Sequence, residues 1–182
     1  MSHDVPRMDL AEIDEKLRPL LQAMSERVGY FGEFLQFTAH TPTVLHNFFE
    51  FTSAMKGLLP DRLNEAIALT VCTELKCTYE RIQHERLCER LQLPRGWIAA
   101  LTGHQLAEPA LLEADDLAVR DLALAVIRHS GADVNVELNR VVAQLGSQGA
   151  VACLWQTTRF QMIATLVRSL EMSLPVASIF EQ

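Results

Sequence analysis

Residues 61–94 read DRLNEAIALTVCTELKCTYERIQHERLCERLQLP, and this stretch decides the fold. The pattern predicts a helix from Pro60 to about Lys76 and another from about Thr78 to Gln92. On the second helix Cys77, Glu80, His84, Leu87, Cys88 and Leu91 share one stripe, because residues three and four apart are neighbours on a helix. Arg81, Glu85, Arg86, Glu89 and Arg90 fall opposite and supply a charged, solvated face. Glu80 and His84 thus stand on the apolar side, where an unpaired carboxylate or imidazole is costly. At i, i+4 the two can satisfy each other. Either the pair does chemistry or it is a structural ion pair.

The first helix repeats the anomaly. Glu65 heads a stripe with Ala68, Leu69 and Cys72, while Leu63, Ile67, Val71 and Leu75 make the other faces apolar. A helix apolar nearly all round is buried, so Glu65 is a second inward carboxylate. The alternative is an early-turn glutamate stabilised by the helix dipole.

Outward from this pair the chain reads as helix after helix. A helix is predicted from Asp9 to Val28, interrupted or kinked at Pro19 and ended by Gly29. Pro42 suits the first turn of a helix running to Lys56. A short helix follows at Pro94–Leu101, then a loop from Thr102 to Ala114 containing Gly103 and Pro109. Further helices fit Asp115–His129, Val136–Leu145 and Ser147–Met172. Pro175 blocks continuation, and SLPVASIFEQ reads as an apolar tail docked on the body or on a neighbour. The expectation is an all-α, multi-helix bundle forming one domain over residues 1–182. Seven of the twelve aromatic residues lie between Tyr30 and Phe51, which assigns that segment to packing or a subunit contact before a pocket wall.

Composition removes several classes of function. With 16 basic and 23 acidic residues the formal charge is −7, and no basic cluster interrupts it. Nucleic acid and anionic membrane surfaces are therefore unsuitable partners. The start of the chain lacks the basic and apolar regions of a secretory signal. The longest uncharged run, Leu145–Thr158, is too short and polar to span a bilayer. Cys72, Cys77, Cys88 and Cys153 have no disulfide-framework spacing, which fits reduced thiols in the cytoplasm.

The 63–94 run resembles the signature of the carboxymuconolactone decarboxylase superfamily. In its thiol-peroxidase branch, alkylhydroperoxidase D and relatives, a Glu precedes a CxxC and then a His four residues after the second Cys. Here Glu65, Cys77, Glu80 and His84 keep the spacing, and Glu80 stands where that branch has its second cysteine. The decarboxylase-like branch looks like C-x-Y-E-W-x-x-H. Residues 77–84, CTYERIQH, match it except at Arg81. LPDRLNEAIAL, AHTPTVLHNFFEF and RFQMIATL resemble further segments of the family. The resemblance implies an all-α alkylhydroperoxidase-D-like bundle assembling as a trimer or hexamer. It implies catalytic roles for Glu65, Cys77, Glu80 and His84, with a small molecule as substrate and no cofactor. The aromatic segment and the SLPVASIF tail are the candidate interfaces.

Two chemistries follow. In the decarboxylase-like one, His84, oriented by Glu80 or Glu65, exchanges a proton with a small carboxylactone or related acid near neutral pH. Two carboxylates in one apolar pocket would also push their pKa values apart, leaving an acid beside a base. In the peroxidase-type one, Cys77 reacts as a thiolate favoured by His84 and its place near a helix start. Cys88 is about three turns away, too far for a disulfide with Cys77. A non-catalytic oligomeric protein is the third reading. Glu65, Cys77, Glu80 and His84 are also conceivable metal ligands, but one E-x-x-x-H falls short of the repeated ligand sets of di-iron bundles, and no metal is expected. His40, with a role at a cap or pocket, His46, His104 and His129 are read as structural or exposed. Trp155, Thr158 and Met162 are read as a core stripe of the last helix.

Overall fold

The computed structural model describes residues 3–106 and 112–181. Among these the chain is all-α, with eight α-helices, one 3₁₀ turn and no strand. It divides into two compact units, Met1–Lys56 with Val167–Pro175 and Gly57–Leu166 with Val176–Gln182.

The first unit holds the 3₁₀ turn Leu10–Glu12 and helices α1 (Arg18–Val28), α2 (Glu33–Thr38) and α3 (Pro42–Ala54). The helix expected from Asp9 is thus two pieces. Asp9 and Glu12 close a capping box on the turn, and α1 begins afresh with Pro19 in its first turn. Gly29 ends α1 at φ 88°, a left-handed conformation that costs glycine nothing. Helix α2 was not anticipated. The core consists of Ile13, Leu17, Leu21, Leu35, Ala39 and Leu45, flanked by Phe31, Phe34, Phe48 and Phe49. The aromatic segment therefore contributes packing within this unit, with ring centroids 5.8 and 5.9 Å apart along Phe34, Phe48 and Phe49.

The second unit contains α4 (Asp61–Glu74), α5 (Thr78–Arg90), α6 (Arg95–Thr102), α7 (Ala114–Arg128) and α8 (Asn135–Ser169), the end of α8 from Val167 counting with the first unit. Of the loop expected between Thr102 and Ala114, Gly103 ends α6 at φ 77°; Pro109 and its neighbours at 107–111 lie outside the described residues. Helix α4 is the hub and packs on α5, α6 and α7. Ala66, Ile67, Ala68, Leu69, Val71 and Cys72 are all fully buried, as a helix apolar on every face requires. Each of the larger ones stabilises the fold by about 1.5–3 kcal/mol on burial.

A polar knot fixes the hub. Arg62 on α4 donates to both oxygens of buried Asp116 on α7, at 3.0 and 2.6 Å, and to Glu113 at 2.8 Å. The indole of Trp97 on α6 donates to Asp116 at 3.0 Å. Burial alone would raise the Asp116 pKa, but the hydrogen bonds from Arg62, the Glu113 amide and Trp97 hold it below its ordinary value.

The link between α4 and α5 sets the site. Lys76 takes a left-handed conformation, φ 54°. The Cys77 amide donates to Cys72 at 2.8 Å and the Lys76 amide to Thr73 at 3.1 Å. This is the paired hydrogen-bond closure of a Schellman motif, here made by a lysine. It ends α4 and makes Cys77 the N-cap of α5. Farther on, Gly146 at φ 71°, ψ 176° interrupts α8, where the sequence placed the boundary between its last two helices.

The tail docks on its own unit. Ser178 donates to Glu85 on α5, Arg86 reaches the Ala177 carbonyl at 3.5 Å, and Arg95 donates to the Ile179 carbonyl. The Phe180 ring lies 4.1 Å from the His104 ring and 5.1 Å beneath the Arg95 guanidinium.

Candidate functional site

Glu65 comes from the second turn of α4; Glu80 and His84 come from successive turns of α5. Nδ1 of His84 donates to Glu65 Oε2 at 2.7 Å, and its Nε2 lies 3.7 Å from Glu80 Oε2. The imidazole is therefore held between two carboxylates, one in hydrogen-bond contact and one at ion-pair distance. Its side chain keeps 14% of its surface exposed, so the group is sheltered yet reachable from solvent. The edge of His84 meets the ring of Phe160 on α8, centroid to centroid 4.9 Å at 88°.

Burial by itself pulls the His84 pKa down. The Glu65 charge, its hydrogen bond and the nearby Glu80 outweigh that and push it up to about 10. At neutral pH His84 is thus an imidazolium. The resting side chain then has a proton to give, the acid half of the expected acid–base role.

None of the four cysteines forms a disulfide; all are buried thiols. Cys77 is 1% exposed. Cys88 donates through Sγ to Glu65 Oε2 at 3.7 Å, so that oxygen accepts from both His84 and Cys88. Burial, then the Glu65 charge, raise the Cys88 pKa well above the ordinary thiol value. Burial, then the charges of Glu80, Cys77 and Glu65, do the same to Cys72. Cys153 is pushed up to about 12 by burial. These three are resting thiols rather than nucleophiles.

Of the stripe read from the sequence, Cys77, Glu80 and Cys88 are buried and His84 nearly so, but Leu91 is exposed. On the opposite side Glu89 and Arg90 are exposed as expected, but Glu85 is wholly buried, accepting from Arg81 and Ser178, with His104 Nε2 3.4 Å away. His104 Nε2 and Arg81 are also in hydrogen-bond contact at 2.8 Å. Arg81, the departure from the C-x-Y-E-W-x-x-H pattern, thus serves this second cluster. The reading of Trp155 and Met162 as core is corrected as well: they are 54% and 45% exposed, and Thr158 is exposed beside them.

Sequence reasoning missed two residues of the site, Arg159 and Phe160. The guanidinium of Arg159 lies 4.3 Å from the centroid of the Phe160 ring that His84 touches. Both belong to RFQMIATL, singled out only for its resemblance. An arginine beside an aromatic on a largely apolar helix was the available signal.

His40 contacts the Pro6 carbonyl at 2.8 Å, His46 borders a surface pocket of about 280 Å³ in the first unit with Asp14, Lys16 and Thr43, and His129 is the exposed C-cap of α7. Among the described residues no three His, Cys, Asp or Glu side chains form a group able to hold a metal ion. No helix among them is long and apolar enough to cross a membrane.

Similarity to known proteins lies in the fold. The structure is similar to an alkylhydroperoxidase AhpD core protein, an uncharacterized peroxidase-related protein from Ralstonia eutropha JMP134, with TM-score 0.79 and 18% identity over 94% of this chain and 93% of that one. A peroxidase-related protein from Silicibacter sp. TM1040 gives TM-score 0.78 and 19% identity, over 94% of this chain and 90% of that one. A cysteine-to-alanine variant of the debrominase Bmp8, in complex with 2,3,4-tribromopyrrole, gives TM-score 0.78 and 13% identity, over 97% and 94%. The chain therefore has the all-α AhpD-like fold. No protein-family model matches the sequence, and no curated protein is similar to it at a significant level.

Proposed function

We propose that this chain is a cofactor-free acid–base enzyme of the carboxymuconolactone decarboxylase-like type, acting on a small carboxylactone or related organic acid. The observation that carries this reading is His84, partly exposed and held between Glu65 and Glu80, whose charges favour its protonated form. When a β,γ-unsaturated acid loses carbon dioxide, the C–C bond to the carboxylate breaks and its electron pair stays on the substrate. That carbanion or dienolate is far more basic than an imidazole, so a donor with a pKa of about 10 suffices. The His84 proton passes to the substrate carbon, Glu65 and Glu80 orient the ring, and solvent returns a proton before the next turnover. We assign the reaction to residues 1–182 as one functional domain around residues 60–92, supported by the fold similarity extending over 94% of the chain. A cytoplasmic homo-oligomer, trimer or hexamer, completes the proposal. It is supported by four cysteines held as thiols and by the exposed apolar residues Val151, Trp155, Met162 and Leu166 on α8.

The test is proton incorporation from deuterated water into the products of a panel of small lactone acids. His84→Asn and Glu65→Gln are expected to lower turnover at least a hundredfold with folding retained. Undiminished turnover in both would remove the assigned roles.

One observation favours a second reading. Cys77 caps α5, a position that stabilises a thiolate, and two of the similar structures are peroxidase-related proteins. In that reading the Cys77 thiolate attacks the terminal oxygen of a hydroperoxide, the O–O bond breaks with release of the alcohol, and the resulting sulfenic acid is returned to the thiol by two equivalents of an external thiol, giving its disulfide and water. Sulfenic-acid trapping after mild peroxide would label Cys77 selectively if it holds.

A further inference from the structure

Arg159 carries a cation that the protein itself leaves unanswered. It is half-buried on α8, and its Nε is shielded from solvent without a hydrogen-bond partner. Among the described residues it forms no hydrogen bond and no ion pair, whereas Arg62 and Arg81, also partly buried, each hold a carboxylate. Its single directed contact is the stack on Phe160, 4.3 Å from the ring centroid, and the same ring meets His84 at 4.9 Å. The neighbourhood is shared: burial lowers the Arg159 pKa, and the charges of Glu80, Glu65 and Cys72 act against that. A guanidinium presents five donors in a planar fork that matches a carboxylate, and shielding one from water without an acceptor is costly.

We propose that Arg159 is the anchor for a carboxylate of the substrate, holding it beside the His84 proton. This rests on the acid–base reading of the same site and adds the residue that recognises the acid. The Phe160 ring touches both the guanidinium and the edge of the imidazole, which gathers the anchor and the proton donor around one side chain. A carboxylate offers the fork two charged acceptors, whereas an amide of the same shape offers one neutral carbonyl oxygen.

The experiment is equilibrium binding of acetate and benzoate, with acetamide and benzamide as neutral isosteres, to the full chain. It is followed by the side-chain NMR signals of His84 and Arg159. At least one carboxylate should bind saturably and at least tenfold more tightly than its amide. Arg159→Met should lose that preference, and Arg159→Lys should keep part of it, since an ammonium retains the charge without the fork. Circular dichroism and thermal melts establish that the variants fold; if Arg159→Met does not, the comparison of Arg159→Lys with the native chain decides. No saturable carboxylate binding, equal affinity for acid and amide, or unchanged affinity in a folded Arg159 variant would each overturn the anchor. Binding and turnover are separate readouts. Loss of the carboxylate preference in Arg159→Met with full turnover in His84→Asn would reject the acid–base reading alone. The reverse pattern would reject the anchor alone.

Discussion

The hydroxyl of Ser178 donates a hydrogen bond to Glu85, a carboxylate with no exposed surface. The two residues are 93 positions apart in sequence. The bond makes the tail part of the second unit's interior, because without it Glu85 keeps, among the described residues, only Arg81 as a hydrogen-bond donor, with His104 Nε2 3.4 Å away. Ser178→Ala is expected to cost about 1.5–3 kcal/mol, the range for a hydrogen bond to a charged group. Urea unfolding measures it, and a change below a few tenths would show that the tail does not hold Glu85.

His84 should make stability depend on pH in alkaline solution. Its pKa in the folded chain is raised to about 10 from an ordinary 6.5. The folded state therefore holds the proton more tightly than the unfolded chain. The contribution is fully present below about pH 6.5, shrinks as pH rises, and is gone above about 10. The effect is on the order of a few kcal/mol. Between about pH 6.5 and 8 unfolding midpoints should fall for the native chain and stay nearly level for His84→Asn; above that the raised Cys72, Cys88 and Cys153 thiols lower the stability of both chains. An imidazole titrating near 6.5 by NMR would contradict the raised pKa of His84.

Thiol labelling should divide by state of folding. Cys72, Cys88 and Cys153 are buried and their thiols are pushed upward. Iodoacetamide at pH 8 should modify them at least tenfold more slowly in the native chain than in urea, since the thiolate is the nucleophile. Mass spectrometry of digests gives each rate separately.

Gly146→Ala should destabilise through the backbone alone. A Cβ there meets nothing within 4 Å, but φ 71°, ψ 176° lies in a region almost confined to glycine. A cost of about 1–3 kcal/mol is expected in thermal or urea unfolding. A neutral outcome would mean that α8 can straighten through this position.

Much of this was written in the chain. Prolines 42, 60 and 94 and glycines 29 and 103 bracket helices where their conformational limits place them. The all-apolar faces of α4 announced the hub, and the spacing Glu65–Glu80–His84 brought the three groups together. Helix α2 stayed hidden because its six residues hold too few turns for a periodic pattern. Glu85 was misjudged because a glutamate among arginines reads as solvated, and the residue that covers it, Ser178, belongs to a distant segment. Trp155 and Met162 were misjudged because periodicity marks an apolar face without saying whether anything covers it. The proton on His84 could not be read from residue types, since it depends on a 2.7 Å contact across two helices.

The left-handed Lys76 makes the site a matter of phase. Each residue advances a helix by about 100°, and this single turn fixes the rotation of α5 against α4. One residue inserted beside Lys76 would swing Glu80 and His84 a quarter-circle or more away from Glu65 while leaving every side chain chemically intact. The count of residues from Glu65 to His84 is as much a component of the site as the imidazole.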